Sequence, residues 1–261
     1  PQTDRRARTS TQPLWCARQM SSQTMHSIKT KQLGVGYTKF PVVDNISLAL
    51  EPGSLLVLIG TNGSGKSTIL KTMAGLLAPV NGTLEMLGEP SGTLPKRVAY
   101  LPQHPVSTHT LPLRVRDVVA MGRFAHLGLF RRPSTNDRLI VDRSMQRTGI
   151  ESQANDPIRD LSGGQQQRTH LAQVLTRQAE VLLLDEPTAG LDINGRKLVA
   201  DLIASERARG VTVVMATHEL QDAENANTVM LLAQRVVSIG APDVALRDEY
   251  LRECFGFTQP H

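Results

Sequence analysis

The chain has 261 residues, of which 40% are hydrophobic and 20% charged, so it is long enough to bury a full hydrophobic core. No apolar run approaches the length that crosses a bilayer, and work at a membrane would therefore require a partner chain. The formal net charge of +5 is modest, and two distant cysteines, Cys16 and Cys254, indicate a reducing compartment and argue against a disulfide framework or a cysteine-based metal site.

Residues 1–25 are basic and polar, with four arginines against a single acid, Asp4. Such a segment cannot bury enough apolar surface to fold alone. We interpret it as a disordered leader, or as an over-extended gene start with Met20 or Met25 as the true initiator. A transit peptide or a nucleic-acid-binding arm is the alternative. Periodic sequence begins only near His26.

Short strands are predicted from about residue 26 onward, and the clearest ends at residue 51. Apolar side chains at positions 46, 48 and 50 alternate there with smaller or polar ones, which is the period of a half-buried strand. Pro52 and Gly53 supply a turn, and the apolar run 55–59 that follows predicts a buried strand.

Residues 60–68 have the sequence G-T-N-G-S-G-K-S-T and match the phosphate-loop pattern G-x-x-x-x-G-K-[S/T]. They lie between the predicted strand and a helix predicted over 69–77. A glycine-rich turn in that place points backbone N–H groups into one concavity, while a lysine and a serine serve the phosphates and Mg²⁺. A turn that binds nothing is the alternative. The predicted nucleotide-binding residues are Gly60, Asn62, Gly63, Ser64, Gly65, Lys66, Ser67 and Thr68.

Further strands are predicted at 83–87 and 97–101, after which the pattern changes. Between residues 103 and 160 the periodicity is helical, clearest at 115–124 and 137–148, with basic turns between. We interpret this stretch as a helical lobe inserted into an α/β core.

A second motif, L-S-G-G-Q at 161–165, opens a helix predicted over 165–178. A serine hydroxyl and glycine N–H groups at a helix start form a second phosphate-binding surface. The alternative, an N-capped helix without a ligand, would need Ser162 but not both glycines.

Continuous apolar runs at 181–184 and 211–216, linked by a helix predicted over 194–209, are typical of a parallel sheet buried on both faces. The first run ends at Asp185 and Glu186, at the strand end where ligands of α/β sheets bind. Since neighbouring strand residues point in different directions, we expect Asp185 to hold Mg²⁺ and Glu186 to act as the general base. Two solvated acids are the alternative.

Two further polar residues follow predicted strands. His218 follows the strand that ends near Thr217, and Gln103 follows the strand that ends at residue 101 and opens the helical lobe. A lone histidine is more often structural than functional, and a lone glutamine indicates nothing.

The order of these motifs resembles the nucleotide-binding subunit of ATP-binding-cassette transporters, over about residues 26–240. The resemblance implies an α/β fold, a P-loop NTPase core with a mostly parallel sheet, N-terminal antiparallel strands and a helical lobe at about 104–168. Residues 189–192 match the D-loop, and Thr61 stands where the family often has proline. Residues 241–261 form a C-terminal tail without an interpretable motif, either a packing element or a partner contact.

The resemblance also implies the roles of the site residues. Glu186, His218 and Gln103 would be catalytic, and Ser67, Gln103 and Asp185 would hold the Mg²⁺ of Mg-ATP. Tyr37 would stack on adenine, although a strand tyrosine can equally serve packing. Two copies would pair head to tail, so that ATP on one copy also contacts the other copy's Ser162, Gly163, Gly164 and Gln165.

For partners, the resemblance implies membrane permease subunits, a peripheral place at the cytoplasmic face of the cell membrane, an extracytoplasmic binding protein acting indirectly, and no nucleic acid. Residues 111–123 and 127–133 look like the ATPases of bacterial zinc and manganese importers. Siderophore or cobalamin import, a soluble cassette ATPase and a non-hydrolysing regulator are the alternatives. The combination of Lys66, Glu186 and His218 argues against the last of these.

Overall fold

The computed structural model describes residues 26–103, 112–127 and 132–256, and these form two β-sheets with helices around them. The first sheet is antiparallel with the order β2-β1-β4-β5. Its strands are β1 (Ile28–Val35), β2 (Val43–Leu50), β4 (Asn81–Met86) and β5 (Glu89–Pro90).

The second sheet has the order β10-β9-β3-β8-β7-β6, and only β10 runs antiparallel to its neighbour. Its strands are β3 (Leu55–Gly60), β6 (Val98–Leu101), β7 (Val181–Asp185), β8 (Thr212–Thr217), β9 (Thr228–Leu232) and β10 (Val236–Gly240). The predicted α/β class, with a mostly parallel sheet and N-terminal antiparallel strands, is confirmed.

Both faces of the second sheet are covered, which explains its continuous apolar runs. On one face, helix α1 (Lys66–Met73) packs between the two sheets and buries Ile69, Leu70 and Met73. On the other face lie α5 (Gly163–Thr176), α6 (Ile193–Ala208) and the C-terminal helix α8 (Asp248–Phe255). All residues of β3, β7 and β8 are therefore buried.

The helical part between β6 and β7 has its own small core. Helices α2 (Val115–Met121), α3 (Phe124–Leu127) and α4 (Thr135–Thr148) lead into α5. Short 3-10 turns at Glu151–Gln153 and Ile158–Asp160 connect α4 to α5. The cluster is formed by side chains of α2, α4, the connection and α5, namely Val115, Val119, Val141, Met145, Ile150, Ala154 and Ala172.

Some elements differ from the sequence-based prediction. Helix α1 begins at Lys66 rather than at residue 69, since the phosphate loop itself turns into the helix before the first apolar side chain. The predicted helix over 115–124 ends at Met121, and α3 follows as a separate short helix. Strands β9 and β10 were not predicted.

The C-terminal segment packs onto the second sheet. Helix α7 (Pro242–Ala245) and α8 follow β10, and Ala245 and Cys254 are buried in the core cluster on that face. Cys254 is a free thiol. Within the three described ranges, no helix combines the length and the apolar character that crossing a membrane requires. The leader 1–25, Cys16 and residues 257–261 lie outside them.

Candidate nucleotide-binding site

The predicted motifs follow neighbouring parallel strands and meet at one edge of the second sheet. The phosphate loop follows β3, His218 follows β8, the acidic pair ends β7, and Gln103 comes two residues after β6. The strand register is aligned, because β3, β8 and β7 pair directly up to their ends. Parallel strands place their carboxyl ends at the same edge, so four motifs far apart in sequence lie along one edge of the sheet.

The glycines of the phosphate loop are required by the backbone. A Cβ on Gly60 would come within 2.2 Å of the Leu232 carbonyl oxygen. Gly65 has φ 106° and a Cβ there would lie 2.3 Å from Val43 Cγ2, while Gly63 has φ 79°. The close approaches exclude a side chain at Gly60 and Gly65, and the left-handed backbone strongly favours glycine at Gly63 and Gly65. Asn62 and Gly63 are exposed at the tip of the loop, whereas Ser64, Gly65, Lys66 and Thr68 are buried and Ser67 is half-buried.

The Lys66 side chain lies within the loop. Its Nζ donates to the carbonyl oxygens of Gly60 at 2.7 Å and Thr61 at 3.0 Å. Burial lowers the pKa of Lys66, and the nearby carboxylates of Glu186 and Asp185 oppose that shift. The buried hydroxyl of Ser64 has no hydrogen-bond partner within the described ranges. An ammonium and an unpaired hydroxyl among backbone N–H groups are suited to binding phosphate oxygens.

Asp185 is 2% exposed, and its two carboxylate oxygens have different surroundings. Oδ2 accepts a hydrogen bond from the hydroxyl of Tyr100 at 3.3 Å, whereas Oδ1 is buried without a partner among the described residues. Burial raises the pKa of Asp185, and the nearby Ser67 hydroxyl opposes that shift. An unpaired carboxylate oxygen beside a serine hydroxyl is the donor set that Mg²⁺ prefers, so these residues fit that ion.

Glu186 lies beyond the end of β7 and has φ 51°, a left-handed conformation that is rare outside glycine. Its backbone N–H donates to the Ala216 carbonyl at 2.9 Å. Its mostly buried carboxylate lies with Oε2 3.7 Å from Nδ1 of His218, whose side chain is about half exposed. The side chains of Asp185 and Glu186 therefore point in different directions because of this left-handed turn as well as the alternation along the strand. Strained backbone of this kind concentrates at functional sites.

The segment that carries His218 is held by a residue that sequence reasoning missed. Asp222 accepts a hydrogen bond from Thr217 Oγ1 at 2.6 Å and another from Thr188 Oγ1 at 3.5 Å. The backbone N–H of Glu219 in turn donates to Thr217 Oγ1 at 3.1 Å. Asp222 lies in a 3-10 turn, Leu220–Ala223, and no pattern around it would have indicated this role.

The L-S-G-G-Q motif forms the first turn of α5. Ser162 caps the helix, and its side chain and that of Gln165 bond reciprocally to each other's backbone N–H. A Cβ on Gly163 would meet none of the described residues within 4 Å, and one on Gly164 would meet only ordinary contacts near Leu191. The fold of one chain therefore explains the serine and the glutamine but neither glycine. The predicted helix over 165–178 begins and ends about two residues earlier.

The D-loop lies beside this turn and leads into α6. Asp192 caps α6 by accepting from the Gly195 N–H at 2.7 Å. Gly190 has φ 71° and is open to solvent. The amide of Gln167 on α5 donates to the Pro187 carbonyl at 3.1 Å, which joins α5 to the segment that follows Glu186.

Tyr37 lies in the loop after β1 and is 61% exposed. Its hydroxyl accepts a hydrogen bond from Lys71 of α1 at 3.1 Å, and this bond lowers the pKa of the phenol. The ring is thus held beside the helix of the phosphate loop with most of its surface free. Gln103 is half-buried, and the residues that follow it, 104–111, lie outside the described part.

Part of the segment that resembles the metal importers has a packing role. A Cβ on Gly122 would come within 2.0 Å of Thr176 Oγ1, so α2 can approach α5 only with glycine there. Arg123 is buried and donates to Asp137 of α4 at 2.9 Å and to the Thr176 carbonyl of α5 at 3.0 Å. Leu111 and residues 128–131 of the predicted importer segments lie outside the described residues.

Comparison with known proteins gives concordant matches. The family model described as ABC transporter matches residues 43–189. The manganese transport system ATP-binding protein MntB of Halalkalibacterium halodurans is 35% identical over 214 residues, covering 82% of this chain and 85% of that protein. The zinc transport system ATP-binding protein TroB of Treponema pallidum is 34% identical over 236 residues, covering 90% and 89%. Among solved structures, an inward-facing metal-chelate type ABC transporter superposes with a TM-score of 0.78 at 28% identity, covering 88% of this chain and 89% of that one.

Proposed function

This chain belongs to the ABC transporter family, and from that premise we propose that it is the ATP-hydrolysing subunit of an importer for a divalent metal ion, zinc or manganese. Membership implies ATP binding coupled to transport through membrane permease subunits. The observation that carries the proposal is the meeting of the phosphate loop, Asp185, Glu186 and His218 at one sheet edge. The cargo is supported by the names of relatives that align with more than four fifths of the chain.

In the proposed reaction the chain holds the phosphates and directs a water molecule. The loop N–H groups and Lys66 bind the β- and γ-phosphates of ATP. Mg²⁺ would be held by Ser67, Asp185 and Gln103. When bound, it would neutralise charge on the phosphate oxygens. Glu186 accepts a proton from water as the water oxygen bonds to the γ-phosphorus, and the bond from that phosphorus to ADP breaks.

His218 is the proposed partner of Glu186 in this step. Its imidazole stands 3.7 Å from the carboxylate and is half exposed, so it can contact both the base and the terminal phosphate. Tyr37 bonds to Lys71 beside α1 and offers adenine the ring face that the Lys71 ammonium does not cover.

We propose that two copies pair head to tail around ATP. The support lies in the first turn of α5, where no described residue lies close enough to Gly163 or Gly164 to exclude a Cβ. Glycine is less favourable than alanine in a helix, by about 1 kcal/mol in the interior, and a group outside the chain would give these glycines a reason. The γ-phosphate of ATP bound by the second copy, received by Ser162, Gly163, Gly164 and Gln165, is such a group.

The proposed assembly contains these two ATPase subunits at the cytoplasmic face of the membrane, two permease subunits and, on the far side, a substrate-binding protein. No nucleic acid takes part. Within the described residues, no three His, Cys, Asp or Glu side chains gather into a metal site. The transported ion would accordingly bind to the other subunits.

A second candidate cargo is a metal chelate such as a siderophore complex. The observation that favours it is the structural similarity to a metal-chelate type transporter at 28% identity. A Yersinia pestis relative named for chelated iron transport is also 35% identical, over 218 residues. Manganese or zinc remains the first proposal because several relatives at 34–35% identity are named for these two metals.

The test is the metal content of cells in which the gene is deleted, measured by mass spectrometry. We expect zinc or manganese to fall selectively and to recover with the wild type but not with Glu186→Gln. Glu85→Gln, the same change at an exposed position of β4, is the matched control and should restore uptake. A fall confined to chelated iron would transfer the proposal to the second candidate, and unchanged metals would refute metal import.

A further inference from the structure

Tyr100 is the residue of β6 whose side chain reaches the acidic pair. It pairs in register with Leu183 of β7, two residues before Asp185. Its ring packs, half-buried, against the cluster between the sheets, and its hydroxyl donates to Asp185 Oδ2 at 3.3 Å. We propose that Tyr100 is a positioning residue that orients the Asp185 carboxylate for Mg²⁺. The inference rests on the proposed role of Asp185 as a ligand of that ion.

The carboxylate needs such a partner because it is buried at the end of a strand. A buried carboxylate without donors is unfavourable, and one that can rotate presents no fixed ligand atom. The Tyr100 hydroxyl binds Oδ2, which leaves Oδ1 as the oxygen without a partner in the described part of the chain. The Ser67 hydroxyl, in the first turn of α1, lies near the same carboxylate and favours its ionised form. Tyr100 thus determines which oxygen faces the ion.

The ring and the hydroxyl of Tyr100 have different contacts, so a substitution can test them separately. The ring contributes packing that phenylalanine would reproduce, whereas only the hydroxyl contacts Asp185. Removal of a group that orients a metal ligand typically lowers metal affinity by about 10- to 100-fold. A donor–acceptor distance of 3.3 Å is long for an O–H···O bond, so we expect an effect near the lower end, about tenfold.

The experiment measures nucleotide binding by the purified full chain with a fluorescent ATP analogue, in EDTA and at rising Mg²⁺. For Tyr100→Phe we expect unchanged nucleotide affinity in EDTA. The Mg²⁺ concentration that gives half of the Mg²⁺-dependent increase in nucleotide affinity should rise about tenfold. Mn²⁺ binding in the presence of ATP, followed by electron paramagnetic resonance, gives a second readout. Tyr250→Phe on α8 is the matched control, since Tyr250 packs on the opposite face of the sheet and should leave both readouts unchanged.

Asp185→Asn separates the inference from the function on which it rests. If Asp185→Asn weakens Mg²⁺ binding and Tyr100→Phe does not, Tyr100 is not a positioning residue, although the proposed site stands. If Tyr100→Phe lowers nucleotide affinity equally in EDTA and in Mg²⁺, its role is packing, which also overturns the inference. If Asp185→Asn itself leaves Mg²⁺ binding unchanged, the proposed role of Asp185 and the inference both fail.

Discussion

Glycine serves two different purposes in the phosphate loop and in the L-S-G-G-Q turn. In the phosphate loop, Gly65 is required by its own fold, since φ is 106° and Val43 occupies the space of a Cβ. In the first turn of α5, Gly163 has ordinary helical backbone and open space around it. The fold of one chain explains Gly65, whereas Gly163 suggests contact with a group from outside the chain.

The same substitution should therefore have opposite effects at these two positions. Gly163→Ala should stabilise the isolated subunit by up to about 1 kcal/mol, because alanine favours helix, and should leave ATP binding unchanged. ATP turnover should fall at least tenfold if a phosphate packs against this turn. Gly65→Ala should instead lower both stability and ATP binding. Urea denaturation, nucleotide titration and phosphate release measure the three quantities.

If Gly163→Ala retains full turnover, the open glycine has no external contact and the head-to-tail arrangement loses its main support. Gly65→Ala is the positive control, because its loss of stability and of ATP binding shows that these assays detect a glycine required by the fold. Asn62 and Gly63 lie at the exposed tip of the loop. We expect them to contact the ATP that is bound by their own chain.

At the scale of elements, the helical lobe depends on one buried ion pair. Arg123, after α2, links Asp137 of α4 to the end of α5. Asp137 also caps α4 together with Ser134. Hydrogen bonds from Ser134, followed by the Arg123 guanidinium, lower the pKa of Asp137 to about 2. Arg123 of the importer-like segment therefore has a structural role within the chain.

This ion pair predicts a pH dependence of stability. A carboxyl whose pKa is lowered on folding stabilises the protein above its ordinary pKa of 3.8, and that stabilisation is lost as pH falls through about 2. Asp137→Asn should therefore destabilise by roughly 2 kcal/mol at pH 6, the value of charge-assisted hydrogen bonds. The difference from wild type should remain constant down to about pH 4 and shrink between about pH 4 and 2.

Urea-denaturation midpoints of the two proteins across this range measure that difference. Asp156→Asn is the control, because Asp156 is exposed and no side-chain bond involves it in the described part of the chain. A difference that already shrinks between pH 6 and 5 would assign the effect to another titrating group.

For the whole molecule, the proposed pairing of two copies would depend on ATP. One chain holds one phosphate loop and one L-S-G-G-Q turn, and beside that turn Ile193 exposes 86% of its surface at the start of α6. In the proposed pair, the second copy would cover this side chain.

Glu186→Gln should bind ATP without hydrolysing it and should accumulate as a dimer. Light scattering on a sizing column should give twice the single-chain mass of 28.5 kDa with ATP and the single mass with ADP. Lys66→Ala in the same background should remain monomeric, because ATP is not bound. A Glu186→Gln protein that binds ATP yet stays monomeric would contradict the proposed pairing.

The sequence alone determined those features whose chemistry is contained in a short contiguous run. The phosphate loop, the L-S-G-G-Q turn and the acidic pair each combine a residue set with a strand or helix boundary, so their local structure follows from local interactions. The α/β class followed as well, because apolar runs such as β7 and β8 suit only a sheet covered on both faces.

Only the tertiary structure decided which residues support those motifs. Tyr100 reaches Asp185 from a strand 85 residues away in sequence, and Asp222 holds Thr217 through a turn without a recognisable pattern. The left-handed backbone of Glu186 depends on its bond to Ala216 of the next strand. Each depends on a contact between separate elements, and the energy of such a contact is absent from the local pattern. That is the physical reason why the sequence located the site but not the residues that orient it.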